Sequence, residues 1–342
     1  MLKKALVLVF IVLVGITYKL FSISIPLRFP QFEEYPIAGP GEYYLPQWSN
    51  DSRYLAYIER SKDPTLVVYD SQTKVSWNVI ANISSTHFSW NPTGALAYLK
   101  YSSSSSGSSL AISELHQVDS KGQNAKILAT NLLNAGDFEW FSDGERIAIL
   151  LTEPNGDAYS TNVYILNTNE STTSSLLNAK SIGLESIASL ALAPDEQAIT
   201  VYGVHEDNGR YEAQIVIYSI ETNTVLKRII PSQVIPNENT EYPLAGLLDS
   251  TNFGWIDGQN WLLAAINTPS GKCYNYALFF FDIRDLQKSF CIPSVGGVFD
   301  YPTISPDLTK ISYVTVAGVG QNYVMVGNVT SDLLNKLKSG GK

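Results

Sequence analysis

At 342 residues the chain is long enough for one large core or for two domains. Its 23 basic residues stand against 32 acidic ones, and the net charge of −9 argues against a nucleic-acid partner, because phosphate needs a basic face to neutralise it. Few charges and 20 tyrosines suit a β protein with an amphipathic surface.

Lys3 and Lys4 precede an unbroken apolar run from Ala5 to Ile16, and after Lys19 the run resumes from Leu20 to Ile25. A basic start followed by an apolar run marks an export signal. A bilayer span needs about 20 residues. Ala5 to Ile25 supplies that length if Lys19 snorkels to the headgroups. Residues 1–26 are therefore expected to form an uncleaved hydrophobic helix, a single-pass signal-anchor with the N-terminus inside and the domain outside the cytoplasm. Secretion after cleavage near Ser22 or Ser24 is the alternative. Residues 27–45 carry Pro30, Pro36 and Pro40 and read as a Pro-rich linker between membrane and domain.

Residues 46–330 are built on a repeat. Its clearest copy is Trp140-Phe141-Ser142-Asp143-Gly144-Glu145-Arg146-Ile147-Ala148-Ile149. An anchor closes one strand, a polar turn follows, and an apolar strand begins six or seven residues after the anchor. Six copies fit, anchored at Trp48, Trp90, Trp140, Leu192, Trp255 and Ile304, with following strands that begin at Leu55, Leu96, Ile147, Ile199, Leu262 and Ile311. The anchors lie 42 to 63 residues apart. Each turn contains Asp, Asn, Pro or Gly, which fix or permit turn dihedrals. A further strand follows in each period, such as Leu66–Asp70, Val163–Asn167, Ile215–Ser219 and Leu278–Asp282. A period of this length holds four strands, one antiparallel sheet. A sheet of that kind cannot bury both faces alone, but several arranged around an axis bury each against its neighbours. The fold expected is all-β, a six-bladed β-propeller of four-stranded antiparallel blades behind an N-terminal hydrophobic helix.

The pattern of aromatic, Ser-Pro-Asp-Gly, two variable residues and Ile/Leu-Ala-aromatic resembles the TolB-type, WD-like propeller repeat, over roughly residues 46 to 329. The Leu192 and Ile304 copies lack the aromatic, and the Trp255 copy lacks the Pro. The resemblance implies a binding or scaffolding propeller presented outside the membrane, with a protein or peptide partner.

Several loops carry polar residues. Ser102–Ser109 reads as a flexible hairpin loop. Glu153–Asp157 and His205–Gly209 are acidic but lack the alternating ligand spacing of a calcium loop, so they read as ordinary turns. The stretch Pro231–Thr240 is an insertion long enough to cover one mouth of the propeller. Cys273 and Cys291, the only cysteines, bracket two strands of the fifth repeat and are expected to form a cross-strand disulfide. Four Asn-x-Ser/Thr sequons occur, at Asn50, Asn82, Asn169 and Asn328. Residues 331–342 form a tail in which Ser331 is placed to cap a short helix.

No motif carries chemistry. There is no Gly-x-Ser-x-Gly elbow, no His-Glu-x-x-His and no cysteine cluster, and Gly318-Val319-Gly320 lacks the context of a dinucleotide site. No metal, cofactor or catalytic group is expected. The innermost strands of a propeller converge on its axis. The polar residues at or just before the anchors are therefore the candidate binding residues of an axial mouth: Gln47, His87, Asp137, Glu139, Asn252, Asp300 and Tyr301. The bland alternative is that they satisfy backbone groups or hold channel water. An enzyme at the mouth, a hydrolase or lyase on sugars or peptides, is the competing function.

The segment around Phe32–Ile37 has one further expected role. The sixth repeat supplies only three strands, which leaves an edge with unpaired backbone groups. The segment is expected to pair with the Asn322–Val329 strand and close the ring.

Overall fold

The computed structural model describes residues 32–83, 87–102, 111–155, 158–234, 253–256, 258, 260–268, 275–293, 298–316 and 322–339. The expected hydrophobic helix of residues 1–26, Cys273, Asn252 and the stretch 235–240 lie outside the described residues. Among the described residues no helix is long and apolar enough to cross a membrane.

The chain enters through β1 (Glu33–Gly41), which belongs to the last blade. Blade one is β2 (Tyr43–Trp48), β3 (Tyr54–Glu59), β4 (Thr65–Asp70) and β5 (Val75–Ala81). Blade two is β6 (Phe88–Trp90), β7 (Leu96–Ser102), β8 (Ile112–Val118) and β9 (Lys126–Leu133). Blade three is β10 (Phe138–Trp140), β11 (Arg146–Asn155), β12 (Ala158–Asn167) and β13 (Thr172–Leu177). Blade four is β14 (Ser186–Leu192), β15 (Ala198–Asp207), β16 (Arg210–Ser219) and β17 (Thr224–Ile229), followed by the single turn α1 (Pro231–Val234). Blade five is β18 (Phe253–Trp255), β19 (Trp261–Thr268), β20 (Asn275–Asp282) and β21 (Phe290–Pro293). Blade six is β22 (Val298–Ile304), β23 (Lys310–Val316) and β24 (Asn322–Asn328), with β1 as its outer strand; α2 (Ser331–Ser339) follows.

All six anchors take the same place, the last residue of the innermost strand. Each pairs with the expected start of the next strand: Trp48 with Leu55, Trp90 with Leu96, Trp140 with Ile147, Leu192 with Ile199, Trp255 with Leu262 and Ile304 with Ile311. The turns after them are held by side chains. Asp51, Asp143, Asp195 and Asp307 each accept a hydrogen bond from the backbone N–H two residues on. The residue after each of these aspartates is left-handed, and in three of the four it is not glycine: Ser52, Glu196 and Leu308, with φ of 61°, 57° and 60°.

The inner strands touch one another in order around the axis, and β22 touches β2. Six apolar cores lie between successive blades. Successive residues of one strand feed opposite cores. On β11, Ile147, Ile149 and Leu151 pack toward blade two, while Ala148 and Leu150 pack toward blade four. On β3, Leu55 and Tyr57 face blade six, and Ala56 and Ile58 face blade two.

The ring is closed as expected. Residues of β1 pair antiparallel with β24, from Glu33 opposite Asn328 to Gly41 opposite Asn322. Phe32 enters the core between blades five and six, and Tyr35, Ile37 and Ala38 border the core between blades six and one. At Gly39, φ is +136° and an added Cβ would stand 2.2 Å from the Tyr323 ring, so only glycine lets β1 lie this close. The residues read as a linker thus include the whole of β1 and the start of β2. The tail is a docked helix: Leu333 and Leu337 are buried, the Trp261 indole N–H donates to the Leu337 carbonyl at 3.0 Å, and Lys336 lies over the Phe290 ring.

Deleting residues 27–40 removes β1 and the burial of Phe32 and Tyr35, each worth roughly 1.5–3 kcal/mol if complete. Since 1 kcal/mol moves Tm by roughly 2–4 °C in a domain of this order of size, thermal unfolding should show a fall of more than about 5 °C. An unchanged Tm would show that β1 adds nothing to closure.

Candidate functional site

Strand alternation sets what faces the axis. The anchors turn into the cores between blades, so the residues one and three places before them turn inward. The six residues one place before the anchors are Gln47, Ser89, Glu139, Ala191, Gly254 and Thr303, and all line an axial cavity of about 370 Å³. Three places before the anchors, Leu45, Asp137 and Tyr301 line its inner part. Its rim is made by residues of the anchor turns, among them Asn50, Pro92, Ser142, Glu196 and Pro306. The cavity therefore opens on the face that carries those turns. Trp48, Trp90, Trp140 and Trp255 form part of its wall.

Blades one and six contribute bulges. The register shifts between Tyr44 and Gln47 and between Asp300 and Thr303, and within each shift one residue is left-handed, Leu45 with φ 52° and Tyr301 with φ 58°. Such backbone is costly for a bulky residue and collects at functional places. The Tyr301 ring meets Tyr44 edge-on at 6.0 Å. Burial first, then the charge of Asp300, then Tyr44, raises the Tyr301 hydroxyl well above the ordinary tyrosine range, so it stays protonated.

The carboxylates reach across to the next blade. Asp137 accepts from its own neighbour Phe138 N at 3.0 Å and from Leu190 N of blade four, also at 3.0 Å. Glu139 accepts from Leu192 N at 2.5 Å. In the rim the direction reverses, and Glu196 of blade four accepts from Ser142 N of blade three. Ser52 of blade one does the same for Asp307 N of blade six, at 2.9 Å. Burial raises Asp137 above the usual carboxylate range, against the pull of His87 and of its two N–H donors. Burial also lowers His87, with the Asp137 charge opposing. No Lys, Arg or His is among the described residues that line the cavity. No group of three or more His, Cys, Asp or Glu among the described residues is placed to hold a metal ion.

Of the candidate residues, the structure brings Gln47, Asp137, Glu139 and Tyr301 into one cavity wall. His87 is electrostatically linked to Asp137 but is outside the lining. Asp300 is also outside the lining: it precedes the bulge, opposite Val314, and Tyr301 faces the cavity in its place. Asn252 is outside the described residues. Glu196 was not a candidate from sequence. Its signal was the missing glycine of its turn, a left-handed place given to a long carboxylate side chain.

No protein-family model and no curated protein matches the chain. Solved structures do. The TolB structure from Acinetobacter baumannii is 17% identical, with a TM-score of 0.48, over 84% of this chain and 54% of that one, so the chain spans about half its length. A gluconolactonase from Xanthomonas campestris is 14% identical over 90% of this chain and 92% of that one, with a TM-score of 0.55. An oligogalacturonate lyase solved in complex with manganese is 11% identical over 91% and 98%, with a TM-score of 0.54. At such identities the likeness shows the fold alone.

The Asp137 shift has a testable sign. A carboxyl whose folded pKa is raised favours the folded state at low pH and costs stability as pH rises from the ordinary carboxylate value, about 4, through the folded value. Asp137→Asn keeps one acceptor oxygen and removes that cost. Its Tm relative to the parent chain should rise as pH increases from about 4 toward neutrality. A Tm difference that is flat with pH would show Asp137 ionising as it does in the unfolded chain.

Proposed function

We propose that the chain is a non-catalytic binding propeller, held at a membrane by residues 1–26 and displayed outside the cytoplasm. Its partner is a polypeptide that seats a cationic side chain in the axial mouth. The observation that carries this reading is the make-up of the cavity: the carboxyl groups of Asp137, Glu139 and Glu196, and no basic residue on its described lining. Guanidinium and ammonium groups pair with carboxylates. The same carboxylates are committed to backbone N–H donors of neighbouring blades, which holds them in place for recognition. Export is supported by the basic start and apolar run of residues 3–25.

Arginine amide serves as the probe. Calorimetric titration should show binding that Glu139→Gln weakens by roughly tenfold, the scale of one hydrogen bond to a charged group. Cross-linking in native membranes should capture a protein that the same variant fails to retain. Binding unaffected by Glu139→Gln would sink the reading.

A hydrolase or lyase acting at the mouth is the second reading. The electrostatic link between His87 and Asp137 and the fold likeness to a gluconolactonase and an oligogalacturonate lyase support it. Turnover of a lactone or oligosaccharide that is abolished by Asp137→Asn would establish it in place of the first.

We also infer the Cys273–Cys291 bond. Its support is the even cysteine count of a chain read as exported, and that Cys291 sits on β21 beside the core between blades four and five. Maleimide should label the unfolded chain only after reduction. Replacing both cysteines with serine should cost about 3 kcal/mol in the chain-entropy model, loosening blade five.

A further inference from the structure

Aliphatic side chains left in water collect at one end of the ring. Among the described residues the exposed large aliphatic side chains are Val75, Ile127, Val225 and Leu226. All four sit at the start of an outermost strand: Val75 on β5, Ile127 on β9, Val225 and Leu226 on β17. Val75, Ile127 and Leu226 are 55%, 56% and 60% exposed. A single exposed side chain needs no explanation, but recurrence at one place in three blades does.

Register shows which end this is. Val75 pairs with Asp70 and Asp70 with Tyr54, the neighbour of Leu55, which pairs with the anchor Trp48. Ile127 pairs with His116, His116 with Tyr98 and Tyr98 with Phe88, on the strand that ends at the anchor Trp90. Val225 pairs with Tyr218 and Tyr218 with Ile199, the partner of the anchor Leu192. Leu226 is the extra residue of the bulge that follows Val225. All four therefore lie at the anchor-turn end, on the rim of the face on which the cavity opens.

The beginning of the chain joins at the same end. Glu33 pairs with Asn328 and Asn328 with Lys310, next to Ile311, which pairs with the anchor Ile304. Phe32, buried between blades five and six, fixes that point. Only residues 27–31 separate Phe32 from the apolar stretch expected to span the bilayer. At roughly 3.3–3.6 Å per residue they reach at most about 20 Å. From there β1 runs toward the far end of the ring, so the end held near the lipid is the one that carries the apolar rim.

We propose that the anchor-turn face is a membrane-contact surface, and that its occupant is the bilayer that holds residues 1–26. The inference rests on the membrane anchor proposed for those residues and extends it from a tether to an orientation. Val75, Ile127, Val225 and Leu226 enter the interfacial layer, where apolar side chains gain from leaving water. Acidic lipid is not required, because the turns of this rim carry both signs, Lys74, Lys121 and Lys126 against Asp119, Glu170 and Glu221. The cavity mouth then opens onto the lipid surface. The cationic side chain it takes belongs to a protein of the same membrane, on a segment next to its span, and not to a freely diffusing one.

The test reconstitutes the full chain in phosphatidylcholine vesicles and follows acetylation of single lysines by a membrane-impermeant reagent, read by peptide mass. Lys121, Lys126 and Lys338 are exposed at the anchor-turn end, the last of them on α2 beside Trp261. Lys62, between β3 and β4, and Lys180, after β13, are exposed at the far end. The comparison is with Val75→Ser/Ile127→Ser/Leu226→Ser, which keeps every charge and changes only exposed side chains, so its Tm should match the parent. Lys121, Lys126 and Lys338 should react at least about threefold more slowly in the parent than in this variant, the scale of one partly buried aliphatic side chain. Lys62 and Lys180 should react alike in both. A chain stripped from the vesicles by alkaline carbonate overturns the anchor and this surface together. A chain that stays bound, with the three lysines equally reactive in parent and variant, overturns the surface and leaves the anchor standing. Slowing at Lys62 and Lys180 instead would put the far face on the lipid and contradict the proposal. Slowing found in native membranes but not in lipid vesicles would assign the rim to a protein partner and overturn it equally.

Discussion

Every sheet in this molecule has two apolar faces, and that constraint organises the rest. A flat stack of six such sheets would leave two faces in water, whereas a ring leaves none. The six cores between blades are the physical form of that closure, and each draws on both neighbours. A ring made from a linear chain must still be joined somewhere. Here the joint is a strand from the beginning of the chain lying on a strand from its end. The joint explains features that look incidental in isolation. Phe32 ahead of β1 fills the core between blades five and six, α2 covers Trp261 beside it, and Gly39 is the residue that lets β1 sit against Tyr323.

Closing a ring also creates its centre. Inner strands packed around an axis cannot fill it, and polar groups there must be satisfied without a strand partner. The chain meets this by sending side chains sideways. Asp137 and Glu139 take N–H groups of blade four, while Ser52 and Glu196 reach back to the turn of the preceding blade. The Trp90 indole likewise donates to the Gln47 carbonyl of blade one, at 3.0 Å. One set of residues thus staples the blades and gives the cavity its sign. The bland expectation for the candidate residues, that they satisfy backbone groups, holds for Asp137 and Glu139 in detail. It does not compete with a binding role, because a carboxyl group that accepts an N–H keeps further lone pairs.

Much of the architecture was legible because the repeat is written in turn chemistry. Asp51, Asp143, Asp195 and Asp307 recur at one place since each must accept an N–H two residues on. The strands were legible as runs such as Leu55–Ile58, with no alternation to read, because both faces are buried. Closure by β1 was legible from an arithmetic shortage, three strands in a blade that needs four. The site was less so. Counting back one place from the anchors finds the inner ring, including Ser89 and Thr303, which are too ordinary to attract notice. Counting fails where bulges intervene, which is why Asp300 looked equivalent to residues that face the axis. Glu196 was hidden because the glycine place of a turn is normally read for its backbone, whereas here its side chain does the linking.

The two ends of the ring are under different constraints. At the anchor-turn end, turns are tied to their own aspartates and to the next blade, so the cavity mouth is preorganised and loses little freedom when something enters. At the opposite end, the hairpins of blades three and four run past the last core residues and are held chiefly by their own cross-strand pairs. Structure with few buried contacts opens at lower free energy than the core and adapts more readily to a partner. The ring is what permits the difference, since its cores lie between blades and leave the far ends of the hairpins outside them.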